Sequence, residues 1–251
     1  MPGSLKMNSK INRITILLII LSIFNTYGYS DEKEKKGEFS VSLKTGYNEF
    51  NLNNVKDLYN NIIVEYKTLS IPLKKQTFFP GNYFISVDAE YYLFQSVALG
   101  INYTQSQTQA FSRYRDYSGR LFVDGSIDVF FLEIFLQKDF FINENLDLFI
   151  IPFAGKVSST SKIIQLAEVF DLKSVTKFYF DGSGFSYGLK AGVQYTVKPF
   201  CAKLYCGLRN AEFDEIDFEI SVDKNVINIG QGKLEHDFSG WLIGIGLSYI
   251  F

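Results

Sequence analysis

Trp241-Leu-Ile-Gly-Ile-Gly-Leu-Ser-Tyr-Ile-Phe251, the last eleven residues of a 251-residue chain, separate into two sets when read by every second residue. One set is Trp241, Ile243, Ile245, Leu247, Tyr249 and Phe251, all large and apolar. The other is Leu242, Gly244, Gly246, Ser248 and Ile250, mostly small. Successive side chains of a strand point to opposite faces. The stretch therefore reads as a strand with one greasy, aromatic-tipped face and one slim face. It needs partners on both edges, and the rest of the chain must supply them.

The same alternation recurs upstream. Phe39, Val41, Leu43 and Tyr47 oppose Ser40, Ser42, Lys44 and Gly46. Tyr83, Ile85, Val87, Ala89, Tyr91 and Leu93 oppose Phe84, Ser86, Asp88, Glu90 and Tyr92. Val97, Leu99, Ile101 and Tyr103 oppose Ala98, Gly100, Asn102 and Thr104. Phe130, Leu132, Ile134 and Leu136 oppose Phe131, Glu133, Phe135 and Gln137. Phe149, Ile151, Phe153 and Val157 oppose Pro152, Ala154 and Lys156. The run from Phe185 to Val197 sets Tyr187, Leu189, Val193 and Tyr195 against Ser186, Gly188, Lys190 and Gln194. Phe200, Ala202, Leu204, Cys206 and Leu208 oppose Cys201, Lys203, Tyr205, Gly207 and Arg209. With the terminal stretch this makes eight strands. Pro152 lacks the N–H a ladder needs, which predicts a bulge or local break there.

Links at Gln95-Ser96, Asn143-Glu144-Asn145 and Lys198-Pro199 are short. Segments 51–82, 112–125, 159–182 and 214–237 are long and polar, and read as loops. The last carries its own alternation, Ile216, Phe218, Ile220 and Val222, and reads as a hairpin with its tip near Asp223-Lys224-Asn225. A ten-strand count would need a pair hidden in 51–82, where 62–73 is the candidate and alternates poorly. Short-long alternation with an even count is the layout of outer-membrane barrels, with short periplasmic turns and longer extracellular loops. It places both termini in the periplasm.

A soluble barrel alternates too, with its apolar set inside. Three features favour a membrane barrel. Phe39 and Tyr47, Tyr83 and Tyr91, Tyr187 and Tyr195, and Trp241 and Tyr249 are each eight residues apart on the apolar face. At about 3.3 Å per residue and a tilt near 40° that spans about 20 Å, close to the distance between two aromatic girdles. The opposite face is rich in glycine, as a narrow lumen of interleaved small and large residues requires. The third feature is the N-terminus. Lys6, Lys10 and Arg13 precede the apolar run 14–24, and Gly28 and Ser30 offer a cleavage site, so 1–30 reads as a signal peptide. Met7 is an alternative start. A charged linker, 31–38, then leads into the barrel domain, 39–251.

Net charge is −2, which gives no sign of a nucleic-acid partner. Cys201 and Cys206 have opposite parity and lie about 16 Å apart along a strand, too far for a disulfide. No metal-ligand cluster or cofactor motif stands out. The slim faces place Lys44, Asp88, Glu90, Glu133, Lys156, Lys190, Lys203 and Arg209 inside. An eight-stranded barrel is just wide enough for side chains to fill it, so these charges read as a structural ionic network, with a small pore as the alternative. Glu133 is expected to pair with Lys190 or Arg209. Glu235, His236 and Ser239 invite a hydrolase reading, but His236 and Ser239 are three apart and face opposite ways on a strand.

Phe251, with Tyr249 and Leu247 at alternate positions before it, resembles the end of the closing strand of bacterial outer-membrane β-barrels. Ile151-Pro-Phe-Ala-Gly155 resembles the Pro-aromatic stretch in the middle strands of small barrels of the OmpX, Ail and Opa type. Through pattern, the mature chain is similar to the OmpX, Ail, Opa and OmpA-barrel group. That resemblance implies an eight-stranded antiparallel transmembrane β-barrel. It implies Phe251, Tyr249 and Leu247 as a signal read by the barrel-assembly machinery. It also implies a monomer among outer-membrane lipid, non-enzymatic and without cofactor. Its loops would contact an extracellular ligand or host protein or support the envelope. A lipid-modifying enzyme of the lipid A deacylase kind is the alternative within the same membrane.

Overall fold

The computed structural model describes residues 35–68, 71, 73–170, 172–222, 225–232 and 237–251. The expected signal peptide and His236 lie outside these residues. The elements in chain order are β1 (Phe39–Asn48), α1 (Asn53–Thr68), β2 (Lys74–Phe78), β3 (Asn82–Phe94), β4 (Val97–Arg115), β5 (Gly119–Phe141), β6 (Leu146–Val169), β7 (Leu172–Val197), β8 (Phe200–Val222), β9 (Asn225–Gly232) and β10 (Gly240–Ile250). All pairings are antiparallel. β1 pairs β3 on one side and β10 on the other, and β10 pairs β8. Strands β1, β3 to β8 and β10 therefore close into an eight-membered ring, as the alternation predicts. β2 and β9 lie outside it, as extra strands on β4 and β8.

The outer face carries the expected apolar sets on β1, β3, β7, β8 and β10. Their aromatic ends meet as two girdles. Tyr47 packs against Tyr83 (6.0 Å between ring centres) and Trp241 (5.5 Å) at one end. Phe39 packs against Phe251 (5.7 Å), and Tyr249 against Phe251 (4.9 Å) and Phe200 (5.6 Å), at the other. The ladder between β5 and β6 skips Leu136 and Gln137, opposite Pro152 and Ile151, and resumes in register at Lys138. That is the local break expected at Pro152. Cys201 is buried and Cys206 exposed, on opposite faces.

On β6 the expected faces are exchanged. Phe149, Ile151, Phe153 and Val157 are buried in the lumen, while Pro152, Ala154 and Lys156 face outward and Lys156 is exposed. The reason lies on neighbouring strands. Phe149 and Phe153 sit directly across from Gly192 and Gly188 of β7. A Cβ at Gly192 would meet Phe149 Cζ at 2.8 Å. Phe135 faces Gly100, Tyr205 faces Gly244 and Phe84 faces Gly46 in the same way. Lumenal rings thus lie over glycines of the next strand, and lumen packing outweighs apolar character in choosing the face.

Two segments expected as loops are mostly strand. β4 and β5 run through 112–125 and leave only 116–118 as a turn, and β6 and β7 run through 159–182. A span needs about 9–11 tilted residues, whereas β5 has 23 and β7 has 26. The surplus stands beyond the apolar belt. There the inward set of β5 is Leu121, Val123, Ile127 and Val129, all buried. Past Phe130 the outward face of the same strand becomes apolar, with Leu132 and Ile134 exposed, while the inward face keeps Phe131 and Phe135 and takes up the buried Glu133, Gln137 and Asp139. One strand thus keeps its apolar side chains inward at one end and shows apolar side chains outward at the other. The 214–237 hairpin appears as predicted, β8 reaching Val222 and β9 starting at Asn225.

Candidate functional site

The interior has two zones. The zone within the apolar belt is ionic. Seven of the eight charges read as lumenal, Lys44, Asp88, Glu90, Glu133, Lys190, Lys203 and Arg209, are buried, and the eighth, Lys156, is on the outer face. Lys203 bonds Glu90 at 2.6 Å, and Ser40 donates to the same Glu90 oxygen at 2.8 Å. Lys44 pairs with Asp88, which also accepts from Asn102. Arg209 holds Glu133 with two N–H groups at 3.1 Å each, and Lys190 lies 3.8 Å from the same carboxylate.

Three further buried charges were not among the expected residues. Lys35 Nζ bridges Asp139 (2.7 Å) and Asp147 (2.6 Å) at the end with the short turns. Tyr92, Gln137 and Gln194 also donate to Asp139. Asp139 continues the parity of Glu133 and Gln137, so it could have been found. Asp147 shares the parity of Phe149, on the face misread for β6. Lys35 falls in the segment read as a linker and carries no periodic signal. With these three the described interior holds five buried acids and five buried bases, so no net charge is stranded in a site where an unpaired one costs several kcal/mol. Glu90 borders a cavity of about 20 Å³, room for a single water.

Beyond the belt the interior is apolar and belongs to α1. The 51–82 connection was expected to be a polar loop, yet Val55, Tyr59, Ile62 and Ile63 recur at helical spacing, and all four are buried. They pack with Phe50, Leu52, Leu121, Val123, Ile127, Phe131, Phe213 and Phe238. The Tyr59 hydroxyl donates to Val123 O at 2.8 Å and meets Ser112 Oγ at 3.1 Å. Burial pushes the Tyr59 phenol up to about 12; the Ser112 hydrogen bond opposes this and Asp124 adds to it. Backbone bonds from Asn51 to Ser239 and from Leu52 to Asp237 pin the entry to the helix. Phe131 joins the two zones, with the Arg209 guanidinium 3.8 Å from its ring and Phe50 at 6.4 Å. The barrel is therefore closed by ions at its turn end and by a helix at its other end.

The predicted assembly residues Leu247, Tyr249 and Phe251 are exposed on the outer face. The Ser239 hydroxyl donates to Asn210 Oδ1 at 2.8 Å and accepts from Ala211 N–H at 3.0 Å, so this oxygen serves a backbone contact. Among the described residues no cluster of His, Cys, Asp and Glu could hold a metal ion.

Solved structures similar to this chain include three barrels. The attachment invasion locus protein Ail of Yersinia pestis is 13% identical over 86% of this chain and 99% of its own, with a TM-score of 0.39. The outer membrane protein OprG of Pseudomonas aeruginosa is 13% identical over 87% and 98%, with a TM-score of 0.42. A major outer membrane protein of Thermus thermophilus is 12% identical over 85% and 99%, with a TM-score of 0.47. No family model matches the chain. No curated protein matches it either. At such identities and scores the likenesses carry no weight on what the chain does, and its own surfaces must supply that.

Proposed function

We propose that this chain is an integral bacterial outer-membrane protein, both ends periplasmic, that works by contact at the cell surface and neither conducts nor catalyses. The observation that carries this reading is the exposed apolar face that β5 acquires past Phe130, at Leu132 and Ile134, where Glu133, Gln137 and Asp139 enter its inward face. A strand wholly in water buries one apolar face throughout. A strand that passes from water into lipid must turn its apolar side chains outward where lipid begins. Short turns mark the periplasmic end, so α1, the long hairpins and β9 stand outside.

Among the described residues the paired charges and the helical plug fill the interior, which argues against a pore. Ser239 is engaged by the backbone, which argues against a serine nucleophile there. What remains for function is the exposed rim, and loops and tips on a rigid scaffold are where binding residues concentrate. Adhesion or ligand contact is the reading this rim supports best. Phe251, with Tyr249 and Leu247, serves in the same reading as the mark for the barrel-assembly machinery.

Protease added to intact cells is expected to cut within 214–237 and in the 51–82 connection outside α1, and to spare Gln95, Asn145 and Pro199. Cutting at those turns in intact cells would invert the topology. Deleting Phe251 should lower the yield of heat-modifiable protein in the outer-membrane fraction several-fold, and an unchanged yield would remove the assembly role.

A further inference from the structure

The β4–β5 and β6–β7 hairpins stand about 30 Å beyond Phe130, from eleven residues of tilted strand. Their tips are tied together. Phe170 N–H donates to Ser118 O at 2.9 Å, and Arg120 pairs with Glu168 at 2.7 Å. The first tip is stiffened by Asp116. Its Oδ1 accepts from Ser118 N–H (2.8 Å), the Ser118 hydroxyl (2.7 Å) and Gly119 N–H (3.0 Å), and its Oδ2 from the Tyr114 hydroxyl (2.9 Å).

This joint presents three side chains to solvent, Tyr117 at 97% exposure, Leu172 at 79% and Phe170 at 74%. Exposure of that kind costs stability and solubility and marks contact surfaces. Arg115 lies directly across from Arg120 in the ladder. Like charges in that position repel. Arg120 has Glu168 as partner, while Arg115 has no ion pair among the described residues. The pair would be relieved by an anion between them, and a guanidinium fork suits a phosphate.

We propose that the joined tips form a membrane-binding knob: Tyr117, Phe170 and Leu172 enter the interface of an apposed anionic bilayer, and Arg115 takes a lipid phosphate. The proposal rests on the surface topology above. A polar hollow of about 340 Å³ lies at the knob, lined by Arg115, Tyr117, Arg120, Glu168 and Phe170 among others, so an anion held by Arg115 has room beside the exposed apolar side chains. A bilayer interface accepts exposed aromatic and apolar side chains without a matching apolar pocket, and anionic headgroups attract the neighbouring arginines. Many copies on one cell turn weak single contacts into firm attachment.

The test uses intact cells displaying the full chain and fluorescent vesicles of phosphatidylcholine, with or without phosphatidylserine. The parent should capture the anionic vesicles and release them as salt rises. The variant Tyr117→Ser, Phe170→Ser, Leu172→Ser, altered only at exposed positions, should capture about tenfold fewer or less, and Arg115→Ala severalfold fewer. In parallel, Tyr117→Cys should react with an impermeant maleimide on intact cells, since Cys201 is buried and Cys206 faces the belt. Labelling with no vesicle capture overturns the knob and leaves the topology standing. No labelling of membrane-inserted protein overturns both. Equal vesicle capture by parent and triple variant, with binding to foreign cells nonetheless lost, would assign the tips to a protein partner and overturn the lipid assignment.

Discussion

The two halves of the interior solve the same packing problem with opposite chemistry. Inside the belt, ten buried charges and the rings laid over glycines fill the lumen. Beyond the belt, Tyr59, Ile62 and Ile63 of α1 fill it with hydrocarbon. The difference follows from what lies outside the wall. Where lipid surrounds the strands, apolar side chains are drawn outward and the inner positions are left to polar groups, which must then satisfy one another. Where water surrounds them, the inner positions take the apolar set and a helix can be buried there. Stability in the first half depends on pairing, and in the second on shape and burial.

That contrast can be broken at its ionic side first. Glu133→Ala leaves Arg209 and Lys190 without their shared carboxylate, and should destabilise the barrel by about 3–5 kcal/mol if the site is dry. The urea midpoint of refolded protein measures it. A midpoint equal to the parent's would show that lumenal water replaces the carboxylate and that pairing is not what holds this half.

A smaller effect is expected on the apolar side. Ile63→Ala removes buried methyl groups and should cost about 2–4 kcal/mol. The loss should appear as release of α1 to protease with the barrel still heat-modifiable, because the ring of strands closes without the helix. Unfolding of the whole barrel in step with the helix would merge the two halves into one cooperative unit.

The smallest effect is a pH response confined to the plug. Tyr59 titrates near 12 when folded against an ordinary value of 10. A raised folded value favours the neutral phenol, so its contribution is complete below pH 10 and is lost as pH rises from about 10 to about 12. Protease sensitivity of α1 should rise across that window in the parent. In Tyr59→Phe, which cannot ionise there, that rise should be absent, although the helix is weaker throughout for want of the Val123 hydrogen bond. An identical rise in both proteins would place the titrating group elsewhere.

The sequence by itself determined the strand count, the turns, the girdles and the break at Pro152, because each is written in residues close together in the chain. It also singled out seven of the ten lumenal charges, with Lys156 placed inside in error. For β6 the alternation showed two unlike faces, but which one looked inward was decided by Gly188 and Gly192 on the next strand. Helix α1 was legible in the spacing of Val55, Tyr59, Ile62 and Ile63, and was hidden only by reading a polar-rich connection for a period of two. The apolar outward face that β5 acquires past Phe130 shows in its residues, yet its cause is the surroundings of the wall. Lys35 carries no local signal at all. It is placed by Asp139 and Asp147, more than a hundred residues away, because two buried carboxylates at the barrel's end need a cation and the nearest free chain supplies it.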